Sequence, residues 1–229
     1  VDTNKVAGIT TLLEQNSPEI ILLDDALQHR KVNGSFYILL TKYTNLFSDD
    51  FLLPTGNLRE SRRGAKRSDV ILVTKCPQDL SEKEQEKIKN QLKKYNKEVF
   101  FTSISYENKL SGSHQISINE LKKYEVLLVT GIADPKPLVT FLEEKEINCK
   151  HLKFADHHHF SSAEIKEISE KFNQIKSSKK LILTTEKDYT RLEGKIKNLS
   201  FIEIKTTFLG NKSNYFNSII NSHIQQNRH

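Results

Sequence analysis

The stretch Val126-Leu127-Leu128-Val129-Thr130-Gly131-Ile132-Ala133-Asp134-Pro135 decides the fold. Four unbroken apolar residues and a threonine lead into a glycine and a proline turn, and a helical pattern follows over 137–145. Alternation would mark a strand with one wet face; continuous apolarity marks one buried on both faces, as in a parallel sheet covered by helices. The same kind of run recurs at 19–23 (EIILL), 36–40 (FYILL), 70–74 (VILVT), 99–103 (VFFTS), 181–184 (LILT) and 199–204 (LSFIEI). Helical patterns lie between and around them at 4–15, 81–95, 161–175 and 215–225. Two of these open on a capping box, Ser81 with Glu84 and Ser161 with Glu164, in which cap and third residue satisfy each other's backbone donors. Strands alternating with helices predict an α/β fold with right-handed crossovers.

The segment 106–124 is polar, contains the Ser111-Gly112-Ser113 turn and interrupts the βα rhythm. A domain boundary is expected there, dividing the chain into 1–110 and 111–229. The 22 residues 45–66 are also irregular, and loops of that length inside compact domains are usually functional.

Composition narrows the function. The chain has 229 residues, 36% hydrophobic and 28% charged, which excludes a disordered tail or a fibrous repeat. No stretch approaches the roughly 18 apolar residues of a spanning helix. Cys76 and Cys149 are the only cysteines and are far apart, so neither a disulfide framework nor a zinc site is expected, and a reducing cytoplasmic setting fits. The net charge is +6, and five of the seven arginines (Arg30, Arg59, Arg62, Arg63, Arg67) fall within 38 residues. Guanidinium is the group that grips phosphate as a bidentate fork. The chain begins at Val1 and contains no methionine, so a fragment is expected.

Three motifs carry chemistry. Ile20-Ile21-Leu22-Leu23-Asp24-Asp25 reads as a buried strand delivering carboxylates at its carboxyl end, the Walker B arrangement that serves Mg²⁺ beside nucleotide phosphates; a strand end simply entering solvent gives the same pattern. The adjacent like charges of Asp24 and Asp25 repel unless a cation or solvent relieves them. Leu53-Pro54-Thr55-Gly56-Asn57-Leu58-Arg59-Glu60, continued by Ser61-Arg62-Arg63-Gly64-Ala65-Lys66-Arg67, combines turn residues, one carboxylate and a guanidinium cluster. It reads either as a loop wrapping a phosphorylated ligand or as a solvated basic loop. Phe154-Ala155-Asp156-His157-His158-His159-Phe160 offers three histidines whose neighbouring side chains diverge, so one histidine oriented by a carboxylate is the better reading. Thr74-Lys75-Cys76-Pro77 faintly resembles the base-reading loop of guanine-nucleotide proteins, with Pro77 where an aspartate would stand. Thr184-Thr185-Glu186-Lys187-Asp188 reads as a solvated helix start. No GxxxxGK[ST] phosphate cradle occurs in these residues.

DDALQHR, LLPTGNLRE, FADHHHF and TTEKD, in this order, together with Gly131-Ile132-Ala133-Asp134-Pro135, resemble the tetraacyldisaccharide 4'-kinase family, the lipid A 4'-kinases of Gram-negative bacteria. The resemblance covers essentially all of the chain. Ala26 replaces a usual glycine, Thr55 an alanine and Ala155 a proline; none removes a functional group.

The resemblance implies a partial parallel-sheet P-loop NTPase-like domain followed by a smaller Rossmann-like α/β domain. In the family, a membrane-associating helix, the P-loop and a catalytic aspartate lie in an N-terminal segment that would precede Val1, so this chain alone is expected to be inactive. The implied reaction moves the γ-phosphoryl of ATP, with Mg²⁺, to the 4'-hydroxyl of an acylated disaccharide 1-phosphate at the cytoplasmic face of the inner membrane. By the same resemblance Asp24 and Asp25 hold the metal or its waters and Glu60 completes its environment. Arg59 with Arg62 or Arg63 grips phosphates, Gln28 and His29 line the crevice, and His157, with His158 as second choice, supports the catalytic base. The alternatives are a non-catalytic anion- or membrane-binding module and a different P-loop NTPase. Nucleic acid is not expected as a partner, because the interleaved aromatics and motifs of its binders are missing.

Overall fold

The computed structural model describes residues 4–227. In chain order, α1 (Lys5–Asn16) precedes β1 (Ile38–Lys42), β2 (Val70–Thr74), α2 (Glu82–Leu92) and β3 (Glu98–Tyr106). There follow β4 (Ser111–Gly112), α3 (Ile118–Leu121), β5 (Glu125–Thr130), α4 (Lys136–Glu144), β6 (Cys149–Lys153), α5 (Ser162–Asn173), β7 (Lys180–Thr185), α6 (Glu186–Leu192) and β8 (Leu199–Ile202). The chain finishes with β9 (Ile204–Phe208) and α7 (Ser213–Gln226). Both capping boxes form, with Ser81 and Ser161 each bonded reciprocally to the glutamate three residues on.

The chain divides into two compact units, the second being Ser105–Lys205 and the first everything before it together with Thr206 onward. This differs from the expected division at 110/111. The return of the C-terminus to the first unit has a physical cause in its aromatic content. Phe208 and Phe216 pack against Phe100 of β3 with ring centroids 6.0 and 5.2 Å away, and they cover the face of the sheet formed by Val70, Leu72 and Phe100. The polarity of 106–124 marked the start of the second unit, but no composition change marks its end.

The sheet of the first unit has the order β1-β2-β3-β9. β1 pairs with β2 in parallel, Ile38 opposite Val70, and β2 with β3, Val70 opposite Glu98. Alternate residues of β2 serve two cores: Val70 and Leu72 face α7, while Ile71 and Val73 join Ile88 and Leu92 of α2. The stretch 19–23 does not form the expected strand. An extended segment needs a hydrogen-bonding neighbour, and among the described residues no strand pairs with it; Leu22 is left 91% exposed. Residues 24–25 consequently sit in a turn, where Asp25 has φ 47°.

The second unit has the order β4-β8-β7-β5-β6, all parallel except β4. Val126 and Leu128 of β5 pack with Leu138 and Leu142 of α4 on one face. Leu127 and Val129 pack with Ile168 and Phe172 of α5 and Leu192 of α6 on the other. From β5 the chain crosses outward through α4 to β6; through α5 it returns to the other side of β5, at β7. The connections leaving β5 and β7 therefore diverge to opposite faces. Such a switch point opens a crevice at the carboxyl ends of the strands, the place where open α/β sheets bind ligands.

Candidate functional site

The sequence motifs gather into two clusters, one in each unit. In the first, DDALQHR and the arginine loop come together although they are more than thirty residues apart in the sequence. Arg59 Nη1 lies 2.5 Å from Asp25 Oδ2. Hydrogen bonds from the Gln28 side chain and the Arg59 guanidinium hold the Asp25 carboxyl below the usual carboxylate range. Arg67 Nη2 donates to the Leu27 carbonyl at 2.9 Å and to both oxygens of Glu60 at 2.6 and 2.8 Å. Glu60 is therefore engaged by Arg67 and does not stand open as the second metal carboxylate that the sequence suggested. A Cβ on its neighbour Gly64 would lie 2.7 Å from Glu60 Oε1, so a larger residue there would push the carboxylate aside. Asp24 is exposed, and its carbonyl accepts from Lys5 Nζ at 2.8 Å. Gln28 and His29 line an open depression with Asn4, Lys5 and Arg30.

The long loop is ordered by its own polar groups. Asp50 accepts from the backbone N–H of Phe51 and of Asn57 at 2.8 and 3.1 Å, and from the Asn57 and Asn45 amides. These bonds hold its carboxyl low, led by the Asn57 backbone. Leu46 and Phe47 anchor the start of the loop in the core. Its end is a 3₁₀ helix, Arg62–Arg67, capped by the Ser61 hydroxyl. Arg62 is fixed: Nε donates to the Asp50 carbonyl at 2.7 Å, and the guanidinium lies 5.0 Å from the centre of the Phe51 ring. Arg63 lines a second depression with Leu52, Leu53 and Thr55.

In the second unit GIADP, ADHHHF and TTEKD converge at the switch point. Asp188, read from sequence as part of a solvated helix start, is instead fully buried. Its carboxyl accepts from the Gly131 N–H at 2.7 Å and the Thr185 hydroxyl at 2.9 Å, and pairs with Arg191 at 3.2 Å. It thus ties the turn after β5 to the first turn of α6. A Cβ on Gly131 would sit 3.1 Å from Asp188 Oδ1 and 3.3 Å from His158 Cβ, closer than an ordinary contact, so the approach of the three motifs leaves little room for a side chain there.

The histidines separate by environment. His158 packs against the rings of Phe154 and Phe160 in a three-ring cluster, with centroids 5.0 and 5.1 Å away, and its Nε2 bonds Glu164 at 2.9 Å. The backbone N–H and hydroxyl of Ser161, with His158, hold the Glu164 carboxyl down at about 2. His157 stands out with its side chain 72% exposed, in left-handed backbone at φ 57°. Its N–H donates to Asp156 Oδ1 at 2.9 Å, and Lys187 Nζ reaches both Asp156 Oδ1 (3.1 Å) and His157 Nε2 (3.3 Å). The Lys187 bond is the main reason that the Asp156 carboxyl lies low. Lys187, Asp188 and Arg67 were visible in the sequence motifs but received no individual role there. For the first two the signal available was the strand-then-TTEKD spacing, which places them at a carboxyl end of the sheet.

Among the described residues no group of three or more His, Cys, Asp or Glu could hold a metal ion. The donor set of Asp24 and Asp25 still fits Mg²⁺ chemically, because Mg²⁺ takes one or two carboxylates and completes its shell with water and phosphate oxygens. The Asp25–Arg59 pair is about two-thirds exposed on both sides, and such pairs contribute only about 0–1 kcal/mol, so giving up the guanidinium to a bound Mg²⁺ would cost Asp25 little.

Comparison with known proteins places the chain in a family. The family model for tetraacyldisaccharide-1-P 4'-kinase matches residues 1–225. The tetraacyldisaccharide 4'-kinase of Flavobacterium johnsoniae is 47% identical over 232 residues, spanning 99% of this chain and 66% of that protein. That of Flavobacterium psychrophilum is 49% identical, over 96% of this chain and 64% of that protein, and that of Bacteroides thetaiotaomicron 38%, over 99% and 65%. The chain thus spans slightly less than two thirds of these relatives' length. The crystal structure of LpxK from Aquifex aeolicus in complex with ATP has the same fold, with a TM-score of 0.68 at 24% identity, over 96% of this chain and 62% of that one. By the family model and these relatives, the chain belongs to the tetraacyldisaccharide-1-P 4'-kinase family.

Proposed function

We propose that this protein is an ATP- and Mg²⁺-dependent kinase that phosphorylates the 4'-hydroxyl of a tetraacylated glucosamine disaccharide 1-phosphate, the lipid A precursor. The observation that carries this reading is the Asp25–Gln28–Arg59 constellation within a chain of this family. Phosphoryl transfer asks a protein for positioning and charge neutralisation more than for covalent chemistry, and the two clusters supply groups of that kind.

In this reading Asp24 and Asp25 hold Mg²⁺ or its waters, and the bound ion supplies neutralisation of phosphate charge. Arg59, released from Asp25, grips a phosphate of nucleotide or substrate. Arg63 and Arg62 act beside it, Arg62 held in place by Asp50 and Phe51. Gln28 orients Asp25, and His29 lines the same depression. Glu60 joins the metal environment only on giving up Arg67, whose guanidinium takes both of its oxygens. His157, exposed at the switch point, supports the catalytic base. The substrate's acyl chains bring the protein to the cytoplasmic face of the inner membrane as a peripheral enzyme. Among the described residues no helix is long and apolar enough to cross a membrane.

The metal assignment is tested by Asp25→Asn, which removes a full charge while keeping the shape. Loss of one well-placed charged group in such a site costs ~10²-fold in turnover. Wild-type turnover of the disaccharide substrate by the Asp25→Asn protein would overturn the assignment.

A further inference from the structure

Lys187 is the residue at the switch point whose geometry exceeds what the proposed roles require. The reciprocal bonds between Thr185 and Asp188 cap α6, with the Asp188 N–H donating to Thr185 Oγ1 at 3.2 Å and the hydroxyl returning to Asp188 Oδ2 at 2.9 Å. Asp188 is buried and bonded to Gly131, so this first turn is braced from beneath. Lys187 projects from the braced turn toward Asp156 and His157.

An ammonium has three donors and no acceptor. Its 3.3 Å contact with His157 Nε2 is a hydrogen bond only if that nitrogen presents a lone pair. The neutral ring then carries its proton on Nδ1. The opposite assignment would leave an Nε2–H facing an ammonium, with Asp156 Oδ2 as its acceptor at 3.7 Å, beyond hydrogen-bonding reach. Among the described residues, the charged groups that bond or pair with the ring are Lys187 and Asp156; Glu164, from α5, is taken up by His158 and Ser161.

We propose that Lys187 is a positioning residue that, pinned by Asp156, donates to His157 Nε2 and fixes the imidazole in its Nδ1–H tautomer. A free histidine side chain prefers the Nε2–H form, so the lysine inverts the ring's ordinary preference. His157 then offers a single N–H donor, at Nδ1, to a carboxylate or phosphate oxygen. This assignment rests on the reading of His157 as a functional group of the kinase, but its test requires neither nucleotide nor acceptor, so the two fail separately.

The experiment is a long-range ¹H–¹⁵N correlation spectrum of the ¹⁵N-labelled protein, recorded at a pH where the ring is neutral. The His157 resonances are identified by their loss in His157→Gln. The wild type is expected to show an imine-type Nε2 and a pyrrole-type Nδ1. Lys187→Met is expected to move the majority population to Nε2–H, and Lys187→Arg, which keeps donors at that place, to retain Nδ1–H. A wild-type ring already in the Nε2–H form overturns the proposal, and needs no variant to fold. An Nδ1–H ring that persists in Lys187→Met also overturns it, because the lysine is then not the cause.

Discussion

Replacing Asp188 by alanine is expected to destabilise the second unit by about 2–4 kcal/mol. The side chain is fully buried and accepts from three donors. The Gly131 N–H is buried with it and has nowhere else to turn, and an orphaned buried donor costs ~1–3 kcal/mol. The Thr185 hydroxyl and the Arg191 guanidinium are partly exposed, so water recovers most of their loss, and the pair adds about 1 kcal/mol after screening. Asp188→Asn keeps an acceptor for Gly131 and should cost only about 1 kcal/mol. Urea unfolding followed by far-ultraviolet circular dichroism measures both, and the midpoint should fall while the slope stays constant. If Asp188→Ala lay within 0.5 kcal/mol of wild type, the brace between β5 and α6 would not be holding the switch point together, and the account of how Lys187 is presented would go with it.

Glu164→Gln probes the second capping box by pH. The Glu164 carboxyl is held at about 2, below its ordinary 4.5, so its contribution to stability is complete above pH 4.5 and disappears as the pH falls toward 2. The melting-temperature gap between wild type and variant should therefore be widest near neutrality and close over that interval; a gap independent of pH would contradict the assignment. Arg63→Ala should leave stability within about ±0.5 kcal/mol while weakening phosphate-ligand binding. Arg62→Ala should cost about 1 kcal/mol as well, because it also loses the Asp50 bond and the Phe51 contact; equal thermal stability in both variants would show that these contacts do not hold the loop.

The parts of the fold legible in the sequence were those in which local pattern and burial agree. The run 70–74 is β2 to the residue, and 126–130 and 181–184 are the cores of β5 and β7, because strands buried on both faces are apolar throughout. Ser81 and Ser161 announced their helices because capping is chemistry of the chain with itself. The strand expected at 19–23 failed because apolarity makes a strand only when a neighbour supplies hydrogen bonds. β6, with the sequence Cys149-Lys150-His151-Leu152-Lys153, escaped notice because it is an edge strand whose residues are all partly or fully exposed. In the candidate site, motif and charge singled out Asp25 and Arg59 separately, for metal and for phosphate, and their pairing with each other came only from the structure. The burial of Asp188 could not be read, since the same alternating charges suit a solvated helix. Only the tertiary approach of Gly131 turns that aspartate inward.

The central claim is tested most directly by the product. A protein carrying this chain at the length of its relatives is incubated with Mg²⁺, γ-labelled ATP and tetraacyldisaccharide 1-phosphate, and the lipid is analysed for label and by ³¹P spectroscopy. The account predicts a labelled lipid with a second phosphomonoester, on the 4'-oxygen, formed by the wild type and lowered ~10²-fold in Asp25→Asn. An unlabelled lipid, or label at any other oxygen, would contradict it.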